Sequence, residues 1–484
     1  MAGVNGCDCG ETHVRVVSRR LVKASDAPVE PRVLAVSNLD LLYSNFPLSC
    51  VCFYPRPPPH SGGADFAAVV ASFESTLPPF LNHFFPFAGR IATNQSSGLP
   101  EIHCTNQGAE LVVAHADAPL SSLDFSTVGA SVRTVQLPYD ESSVALSVQL
   151  VSFACGGFSV AWRTSHLLVD GCALYALVGA WSEFARRGTV AVPVSHDRAV
   201  LRPRSPPRYA PGFGDAYTPD TGDRLVNVLT NQSFVERLYR IDARDVERLR
   251  AEASCCSSYR ATRMEAVSAY LWKALAGLVL GAGGDERCCR MGWWVNGRRF
   301  FTSSPEQRAA MTTSACYIGN VTSFAASEAR AEEIRGAGLP DVAARVREAV
   351  AEKAANKEHF QELVDWLEDH KSKRFLEAPT VGLGSPTVTV TWCATFRPDT
   401  DFGFGHAALA MPVTATGRIC SAYFTVAARP GGEDLFASAF VWPRLAAALE
   451  SDGRRLFKPV TAEDLGFVTA SKARGIKENG THHA

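Results

Sequence analysis

The sequence lacks the patterns that assign chains to several well-known functional classes. It contains 14 cysteines among 484 residues, but no two have the CxxC spacing of structural zinc sites and dithiol redox centres. It also has no P-loop, no GxGxxG turn opening a helix after a strand, and no GxSxG nucleophile elbow. These absences argue against nucleotide-phosphate binding, dinucleotide binding and a covalent serine mechanism.

Long apolar runs and an excess of one charge are missing as well. No run of about 18 uncharged apolar residues indicates a membrane helix, and the N-terminal stretch MAGVNGCDCGETHVRVVSRR has no apolar region typical of a secretory signal. The 48 basic and 49 acidic residues give a net charge of −1, so no global field favours nucleic acid or an anionic membrane. We therefore expect a cytoplasmic protein with reduced, mostly buried thiols and without a nucleic-acid partner or a membrane span.

One weak candidate for a metal site lies near the N-terminus. Cys7, Asp8 and Cys9 are close in sequence to His13, and their side chains are of types that bind metals. A fourth ligand is not apparent, and chain termini are usually poorly ordered. We therefore predict no bound metal.

The segment after residue 193 divides the chain. Five prolines fall between residues 203 and 219, with glycine and charged residues among them, which is typical of a crossover or linker. We place this linker at 196–225, between an N-terminal domain of residues 1–195 and a C-terminal domain of residues 226–484. Strands and helices alternate on both sides, so the sequence predicts two mixed α/β domains of similar size.

Hydrophobic periodicity predicts the main elements of both domains. Apolar positions at helical spacing predict a helix over 173–187, and two apolar runs flanking a Gly-Gly turn predict a hairpin over 144–164. The other principal predictions are strands at 14–22, 47–54, 387–396, 407–413 and 418–427, and helices at 264–279, within 341–372 and at 433–449.

Two ionisable residues interrupt the apolar stretch TSHLLVDG at 164–171. His166 follows the second strand of the predicted hairpin, and Asp170 precedes the helix. Open α/β sheets place ligand sites where a strand leads into a helix. The two residues are too few for a metal site. They are either core residues, with Asp170 capping the helix, or a catalytic base with a helper, because histidine titrates near neutrality.

Five stretches, in the same order along the chain, resemble motifs of the plant BAHD acyl-CoA-dependent acyltransferases. HLLVDG at 166–171 resembles the HxxxD motif of this family, and DFGFG at 401–405 resembles its DFGWG motif. The remaining three, which resemble LxxYYPLAGRL, VDxRxR and YFGN, are LNHFFPFAGRI at 81–91, VNGRRF at 295–300 and CYIGN at 316–320. The resemblance extends from near residue 14 to FKPV at 457–460.

This resemblance implies a chloramphenicol-acetyltransferase-like fold, in which two similar-sized mixed-sheet domains enclose an active-site channel. Acyl-CoA would enter as a co-substrate, no cofactor would be bound permanently, and the protein would be a monomer. His166 would be the general base that deprotonates the acceptor. Asp170 would be structural and would position this base by pairing with Arg298.

The resemblance also suggests roles for residues outside HLLVDG. Trp392 and Thr391 match a segment that lines the reaction site, so either is a candidate to stabilise the oxyanion, with core packing as the alternative for Trp392. Thr262 and Arg263 match a segment that touches CoA, although an ordinary helix cap explains Thr262 equally well.

Asp401, Gly403 and Gly405 of DFGFG would shape a structural loop away from the chemistry. Phe404 stands where tryptophan is usual in this motif.

The resemblance implies transfer of an aromatic acyl group, of the hydroxycinnamoyl type, from CoA to an alcohol or amine in plant specialised metabolism. Glu377 lies near the position where members that acylate shikimate carry an arginine, which argues against an acidic acceptor. The alternative function is that of a non-catalytic relative that assists very-long-chain lipid (wax) elongation as a partner protein.

Overall fold

Two mixed β-sheets, each covered by helices and each with its own hydrophobic core, form the body of the molecule. This arrangement confirms the predicted two-domain α/β fold. The computed structural model describes residues 12–26, 32–43, 47–56, 65–140, 142–191, 193–221, 234–254, 259–282, 287–301, 317–381, 384–414 and 421–468. The candidate metal ligands Cys7, Asp8 and Cys9 lie outside these residues.

The first sheet has six strands, and all neighbouring pairs are antiparallel except the second with the third. In spatial order its strands are Val14–Val22, Ala109–Ala116, Leu146–Phe153, Phe158–Ser165, Pro47–Tyr54 and Leu409–Thr414. The third and fourth strands are the hairpin that the sequence predicts.

The second sheet has seven strands and contains two parallel pairs at its centre. In spatial order its strands are Thr322–Arg330, Cys288–Asn296, Thr387–Trp392, Ala422–Ala428, Leu435–Val441, Val235–Ile241 and Lys458–Pro459. Two small sheets are formed by Arg32–Ala35, Pro100–Cys104 and Arg90–Thr93, and by Phe375–Glu377 with Tyr217–Pro219.

The helices cover these sheets with faces set by their apolar positions. In the helix after His166, the apolar residues at helical spacing are all buried, as the 3.6-residue periodicity requires; these are Ala173, Leu174, Leu177, Val178, Trp181 and Phe184. The α-helices of the described residues are Asn38–Leu42, Phe66–His83, Val128–Val135, Gly171–Arg187, Ala243–Ala253, Arg263–Leu280, Ala331–Gly336, Leu339–Ala354, Lys357–His370 and Pro443–Ser451.

The predicted helix at 433–449 is wrong in its first half. Residues Leu435–Val441 form a strand, and the helix occupies only Pro443–Ser451. This strand pairs antiparallel on both sides, with Ala422–Ala428 just before it in the chain and with Val235–Ile241 far from it, so both of its edges are hydrogen-bonded within the sheet. The alanines of LFASAFV fit a helix locally, but tertiary pairing overrides that local preference.

Two segments do not lie in the domain to which the predicted boundaries assign them. The helix Asn38–Leu42 contributes Leu39 and Leu42 to the second core, and the residue that follows it, Tyr43, lies in the same core. The strand Leu409–Thr414 pairs with Pro47–Tyr54 and thereby completes the edge of the first sheet, although it falls within 226–484. The two halves are therefore joined by exchanged segments as well as by the chain between them.

The proline-rich segment packs against the second half of the molecule. Arg204 donates through its backbone N–H and its Nε to the buried carboxylate of Asp365, in the helix Lys357–His370. Farther along, the strand Tyr217–Pro219 pairs antiparallel with Phe375–Glu377. This part of the predicted linker is therefore anchored along its length, whereas residues 222–225 lie outside the described part of the chain.

Candidate functional site

A largely apolar cavity that opens to solvent lies between the two sheets. His166 lines it from the end of strand Phe158–Ser165, and most of the opposite wall comes from the second half of the chain. The lining residues are Leu42, Tyr43, Leu48, His166, Asp170, Gly171, Trp294, Thr322, Leu376, Glu377, Thr380, Thr391, Cys393, Pro412, Tyr423 and Thr425. We call this space the His166 cavity.

A buried amide holds the ring of His166. The Oδ1 of Asn320 lies 3.1 Å from His166 Nδ1, and the Nδ2 of Asn320 donates to the backbone carbonyl of His166 at 2.8 Å. The same Nδ2 and the backbone N–H of Asn320 donate to Asp40 Oδ1 at 2.8 and 2.9 Å. Asp40 and Asn320 are fully buried, so this chain of hydrogen bonds is shielded from water.

The hydrogen bonds of Asn320 assign the tautomer of His166. A carboxylate only accepts hydrogen bonds, so Asp40 fixes the NH2 group of Asn320 toward itself and turns the amide oxygen toward His166. The amide oxygen also only accepts, so the hydrogen of the neutral imidazole is on Nδ1. The basic lone pair of the ring is therefore on Nε2.

Burial dominates the protonation of His166. It lowers the pKa of the imidazole below its usual range, against the opposing effects of the charges on Asp170 and Asp40 and of the hydrogen bonds that the ring makes. Tyr43 stacks on the imidazole, with ring centroids 4.9 Å apart and an interplanar angle of 24°. The ring is thus neutral at pH 7, and Tyr43 holds it on one face while Asn320 holds it at one edge.

Asp170 serves as a junction between the two halves of the molecule. Its Oδ1 accepts the backbone N–H of Ala173 at 2.9 Å and so caps the helix Gly171–Arg187. Both oxygens accept hydrogen bonds from the guanidinium of Arg298, at 2.7 and 2.8 Å. Its Oδ2 also accepts from the backbone N–H of Val321 at 3.1 Å. The capping interpretation and the pairing with Arg298 therefore coexist.

The charge of Asp170 is stabilised in the interior. Burial raises the pKa of this carboxyl, but the Arg298 charge and the hydrogen bonds from Arg298, Ala173 and Val321 outweigh burial and lower the pKa below its usual range. Arg298 is itself buried, and its remaining donors reach the carbonyls of Tyr317 and Gly319. The pair fixes the loop that carries His166 against the loop after strand Cys288–Asn296.

The DFGFG segment forms a tight loop outside the lining of the His166 cavity. Asp401 Oδ1 accepts the backbone N–H groups of Gly403 and Gly405, both at 2.9 Å. Both glycines have a positive φ, +103° and +95°, which side chains larger than hydrogen rarely adopt. Phe402 packs in the first core, and Phe404, in place of the usual tryptophan, stacks on it.

Gly403→Ala is expected to destabilise the protein by about 1–3 kcal/mol, because alanine is strained at this φ. A Cβ at Gly403 meets no atom within 4 Å, so any loss of stability in this variant reports backbone strain and not steric overlap. Chemical denaturation would measure the loss. The matched control is Gly336→Ala, since Gly336 ends a helix without a positive φ and its Cβ is equally unobstructed. Equal unfolding free energies for both variants would contradict the assignment.

The two oxyanion candidates face different cavities. Thr391 lines the His166 cavity, and its hydroxyl lies 3.1 Å from the hydroxyl of Tyr423. Trp392 instead lines a second cavity, because neighbouring residues of a strand point to opposite faces. Thr262 and Arg263 line that second cavity together with Trp392. The structure thus groups Trp392 with the two CoA candidates rather than with His166.

The helix-cap alternative for Thr262 is present in the structure. Its hydroxyl accepts the backbone N–H of Glu265 at 3.1 Å, and Glu265 Oε2 accepts the backbone N–H of Thr262 at 2.9 Å, which completes a capping box. Arg263 pairs with Glu247 and Glu433, both at 3.1 Å.

Three residues of the site received no role from the sequence. Tyr43 and Asp40 lie in SNLDLLYSNFP, and Asn320 ends CYIGN, two stretches whose residue types alone do not disclose a contact. Asn320 lies 154 positions from His166, and Asp40 lies 280 positions from Asn320. The one available signal was the polar character of Asp40 and Asn320 inside otherwise apolar stretches.

The family model described as the transferase family matches residues 12–431, most of the chain. The chain belongs to this family, the BAHD acyltransferases. It is an acyltransferase, and CoA thioesters are the co-substrates of the family. With the family match and relatives named as acyltransferases, the non-catalytic alternative is set aside.

Curated relatives match over most of their length. A hydroxycinnamoyltransferase of Narcissus pseudonarcissus is 26% identical over 416 residues, which cover 81% of this chain and 88% of that protein. Putrescine hydroxycinnamoyltransferase 1 of Oryza sativa subsp. japonica is 27% identical over 476 residues, covering 93% and 99%. Omega-hydroxypalmitate O-feruloyl transferase of Arabidopsis thaliana is 24% identical over 389 residues, covering 78% and 79%.

Solved structures agree with the fold. Vinorine synthase superposes with a TM-score of 0.67 at 21% sequence identity, over 92% of this chain and 99% of that chain. TRI101 of F. graminearum, in complex with coenzyme A and T-2 mycotoxin, gives a TM-score of 0.69 at 14% identity, over 88% and 99%. These likenesses support the chloramphenicol-acetyltransferase-like architecture.

Two kinds of feature are absent from the described part of the chain. No helix in this part of the chain combines the length and the apolar character needed to cross a bilayer. Among the same residues, no group of three or more His, Cys, Asp or Glu side chains is arranged to hold a metal ion.

Proposed function

We propose that this acyltransferase moves an aromatic acyl group, of the hydroxycinnamoyl class, from CoA to an alcohol or amine, with His166 as the general base. The observation that carries the proposal is the imidazole of His166, oriented by Asn320 in a cavity between the two sheets. Relatives named for hydroxycinnamoyl and feruloyl transfer support the donor class, and their names include an amine acceptor and a hydroxyl acceptor.

The reaction proceeds by direct attack of the acceptor on the thioester. Nε2 of His166 accepts the proton of the acceptor hydroxyl or amine while its oxygen or nitrogen bonds to the thioester carbonyl carbon. The resulting oxyanion requires a nearby donor, and the Thr391 hydroxyl in the same cavity is the candidate. The carbon–sulfur bond then breaks, and the thiolate, whose conjugate thiol has a pKa of about 8.5, takes the proton back from His166.

The second cavity suits the CoA arm. It is lined by Trp392, Thr262 and three arginines, Arg250, Arg263 and Arg397. Arginines recognise phosphate groups through several donors, and the N-terminus of the helix Arg263–Leu280 adds a favourable dipole. All three arginines already pair with glutamates, Arg250 with Glu247, Arg397 with Glu433 and Arg263 with both, so we assign them the role of neighbouring charges rather than of sole phosphate ligands.

Cys393 does not supply a competing nucleophile. It lines the His166 cavity, but burial raises the pKa of its thiol above the usual range. Because the thiolate is the reactive form of cysteine, a buried neutral thiol at this position reacts slowly. An acyl-cysteine intermediate is therefore disfavoured against direct transfer.

A thiol-release assay tests the proposed function. Several acyl-CoAs, including hydroxycinnamoyl, benzoyl and acetyl thioesters, are crossed with alcohol and amine acceptors, and free CoA is measured together with the acylated product. We expect acceptor-dependent release with aromatic thioesters. A preference for acetyl-CoA over every aromatic thioester would overturn the donor assignment, and absence of release across the whole panel would overturn the proposed function.

We expect His166 to remain unprotonated, and the enzyme to remain active, at moderately acidic pH. Since the pKa of His166 is lowered, the neutral form persists below the usual histidine value of about 6.5, and kcat/KM should fall only at lower pH, when the ring becomes protonated. A kcat/KM profile from pH 4.5 to 8 measures this acid limb. In Asp40→Asn the limb should move to still lower pH, because a charge that raises the His166 pKa is removed. An acid limb above the usual value would contradict the assignment.

A further inference from the structure

Tyr43 presents the face of its ring to the imidazole of His166. The two ring centroids lie 4.9 Å apart, and the planes are inclined by 24°. Tyr43 is 6% exposed and lines the same cavity as His166. The stack covers one face of the imidazole and Asn320 contacts its Nδ1, so neither contact involves the Nε2 that the proposed mechanism uses.

The phenol ring of Tyr43 is fixed at both ends. Tyr43 caps the C-terminus of the helix Asn38–Leu42, where its backbone N–H donates to the carbonyl of Asp40 at 3.3 Å. At the other end, its hydroxyl donates to Oε1 of Glu377 at 3.2 Å. The tyrosine is therefore a rigid platform, because it cannot turn away from His166 without breaking a hydrogen bond.

The same short helix also supports the other contact of the imidazole. Asp40, within this helix, accepts from Nδ2 of Asn320 at 2.8 Å, and Oδ1 of Asn320 lies 3.1 Å from His166 Nδ1. A capping box between Ser37 and Asp40 fixes the start of the helix. The segment 37–43 thus determines both the edge and the face by which the imidazole is held.

Proton transfer turns His166 into a buried cation. In the proposed mechanism, Nε2 takes the proton of the acceptor and returns it to the thiolate, so an imidazolium exists between these two steps. Burial disfavours this cation and is the largest of the effects that lower the pKa of His166. Fast transfer therefore requires neighbouring groups that stabilise the positive charge while it is present.

Charged and titratable groups face the imidazole from several elements. The charges of Asp170 and Asp40 favour the protonated form of His166. Each of these carboxylates is itself paired: Arg298 pairs with the first, and Arg198 pairs with the second. The other titratable side chains that line the cavity with His166 are Tyr43, Glu377, Cys393 and Tyr423. Of these four, Tyr43 is the one whose ring stacks on the imidazole.

We propose that Tyr43 is a positioning residue of the transfer reaction, which holds His166 by its ring face and stabilises the imidazolium by a cation–π interaction. A cation within about 6 Å of the centroid of an aromatic ring is attracted to the ring face, and more strongly when water is excluded. The 4.9 Å separation meets this condition. The carboxylate of Glu377, which accepts from the hydroxyl, makes the ring richer in electrons. This role rests on the proposed function and adds a residue to its mechanism.

Tyr43→Leu removes the aromatic ring and keeps an apolar side chain. Without the ring the imidazolium is less stable and His166 is a weaker base, so kcat should fall by about 3–30-fold, the range that a cation–π interaction supplies. A role confined to substrate contact would appear in KM instead. Tyr43→Met, with a flexible side chain that fills irregular gaps, repeats the test should the leucine variant fail to fold.

The pH profile separates this role from packing alone. Because the ring stabilises the protonated form, its removal should lower the pKa of His166 further, and the acid limb of kcat/KM should move to lower pH. Loss of packing has the opposite sign: water entering the vacated space would weaken the effect of burial, raise the pKa of His166 and move the limb to higher pH.

Tyr43→Phe is the matched control, since it keeps the stacked ring and removes only the hydroxyl that donates to Glu377. It should keep kcat within about threefold of the parental value, because phenylalanine also binds cations on its ring face. Its acid limb should lie close to the parental one. Melting temperatures of all variants report whether they fold.

Titration of His166 by NMR, with His166→Ala to assign its signal, completes the experiment. We expect a lower pKa in the folded Tyr43→Leu or Tyr43→Met variant and little change in Tyr43→Phe. An unchanged or higher pKa in the variants without a ring, or an equal loss of kcat in Tyr43→Phe, would overturn the inference while the acyltransferase function stands. If the parental protein releases CoA from no thioester with any acceptor, the proposed function fails, and the role of Tyr43 fails with it.

Discussion

His166→Ala is expected to lower kcat/KM for acyl transfer by about 10²–10⁴-fold, the contribution typical of a general base. The imidazole contacts Asn320 and Tyr43, which pair with Asp40 and Glu377 independently of it. The fold should therefore survive the substitution, and the loss should appear in catalysis. Measurement of CoA release, with the melting temperature of the same preparation, separates the two effects.

A control histidine shows that the effect belongs to the site. His115 lies on the exposed side of the first sheet, where its Nδ1 contacts Ser152, and it does not line the His166 cavity. His115→Ala should transfer acyl groups at nearly the parental rate. Turnover close to the parental value in His166→Ala would exclude the general-base role.

Asp170→Ala should produce the largest loss of stability of any change considered. It leaves the buried Arg298 without its anionic partner, and breaking a buried pair in this way typically destabilises a protein by about 3–5 kcal/mol. Loss of the capping hydrogen bond from the Ala173 N–H to Asp170 adds about 1 kcal/mol to the destabilisation. Urea unfolding measures the sum, and transfer activity should decline as the His166 loop loses its anchor.

Matched variants separate charge from capping. Asp170→Asn keeps a side-chain oxygen that can cap the helix but removes the charge, so it isolates the effect on Arg298. When Asp170→Ala is combined with Arg298→Met, no buried guanidinium is left without a partner. The loss of unfolding free energy in this double variant should therefore be smaller than the sum of the losses in the two single variants. Strictly additive free energies, or an unchanged unfolding transition in Asp170→Ala, would show that the pair does not couple the two loops.

The sequence predicted much of the site because several motifs carry local information. The apolar periodicity after Gly171 predicted the helix, and the resemblance paired Asp170 with Arg298 across 128 positions. The roles of Asn320 and Asp40 were not predicted, because no local sequence pattern reveals a hydrogen bond between residues so far apart. Trp392 and Thr391 were predicted together because both match one segment of the family, although neighbouring residues of a strand point to opposite faces.

The fold was predictable to a similar degree. The hairpin Leu146–Phe153 and Phe158–Ser165 has its turn signal in the sequence, and it was predicted. The strand Leu435–Val441 was not, because its alanine-rich residues are locally compatible with a helix and only its two neighbours in the sheet impose extension. Strand pairing across the sheet decides such cases, and local residue preferences do not display it.

The exchanged segments bear on how the molecule unfolds. Because Asn38–Leu42 packs in the second core and Leu409–Thr414 completes the first sheet, neither half is a self-sufficient folding unit. Either half produced alone would expose an unpaired strand edge or an unfilled core, both of which promote aggregation. Asp40, which lies in the exchanged helix, hydrogen-bonds Asn320, the residue that orients His166. Damage in either core therefore reaches the catalytic geometry through a shared, cooperative loss of structure.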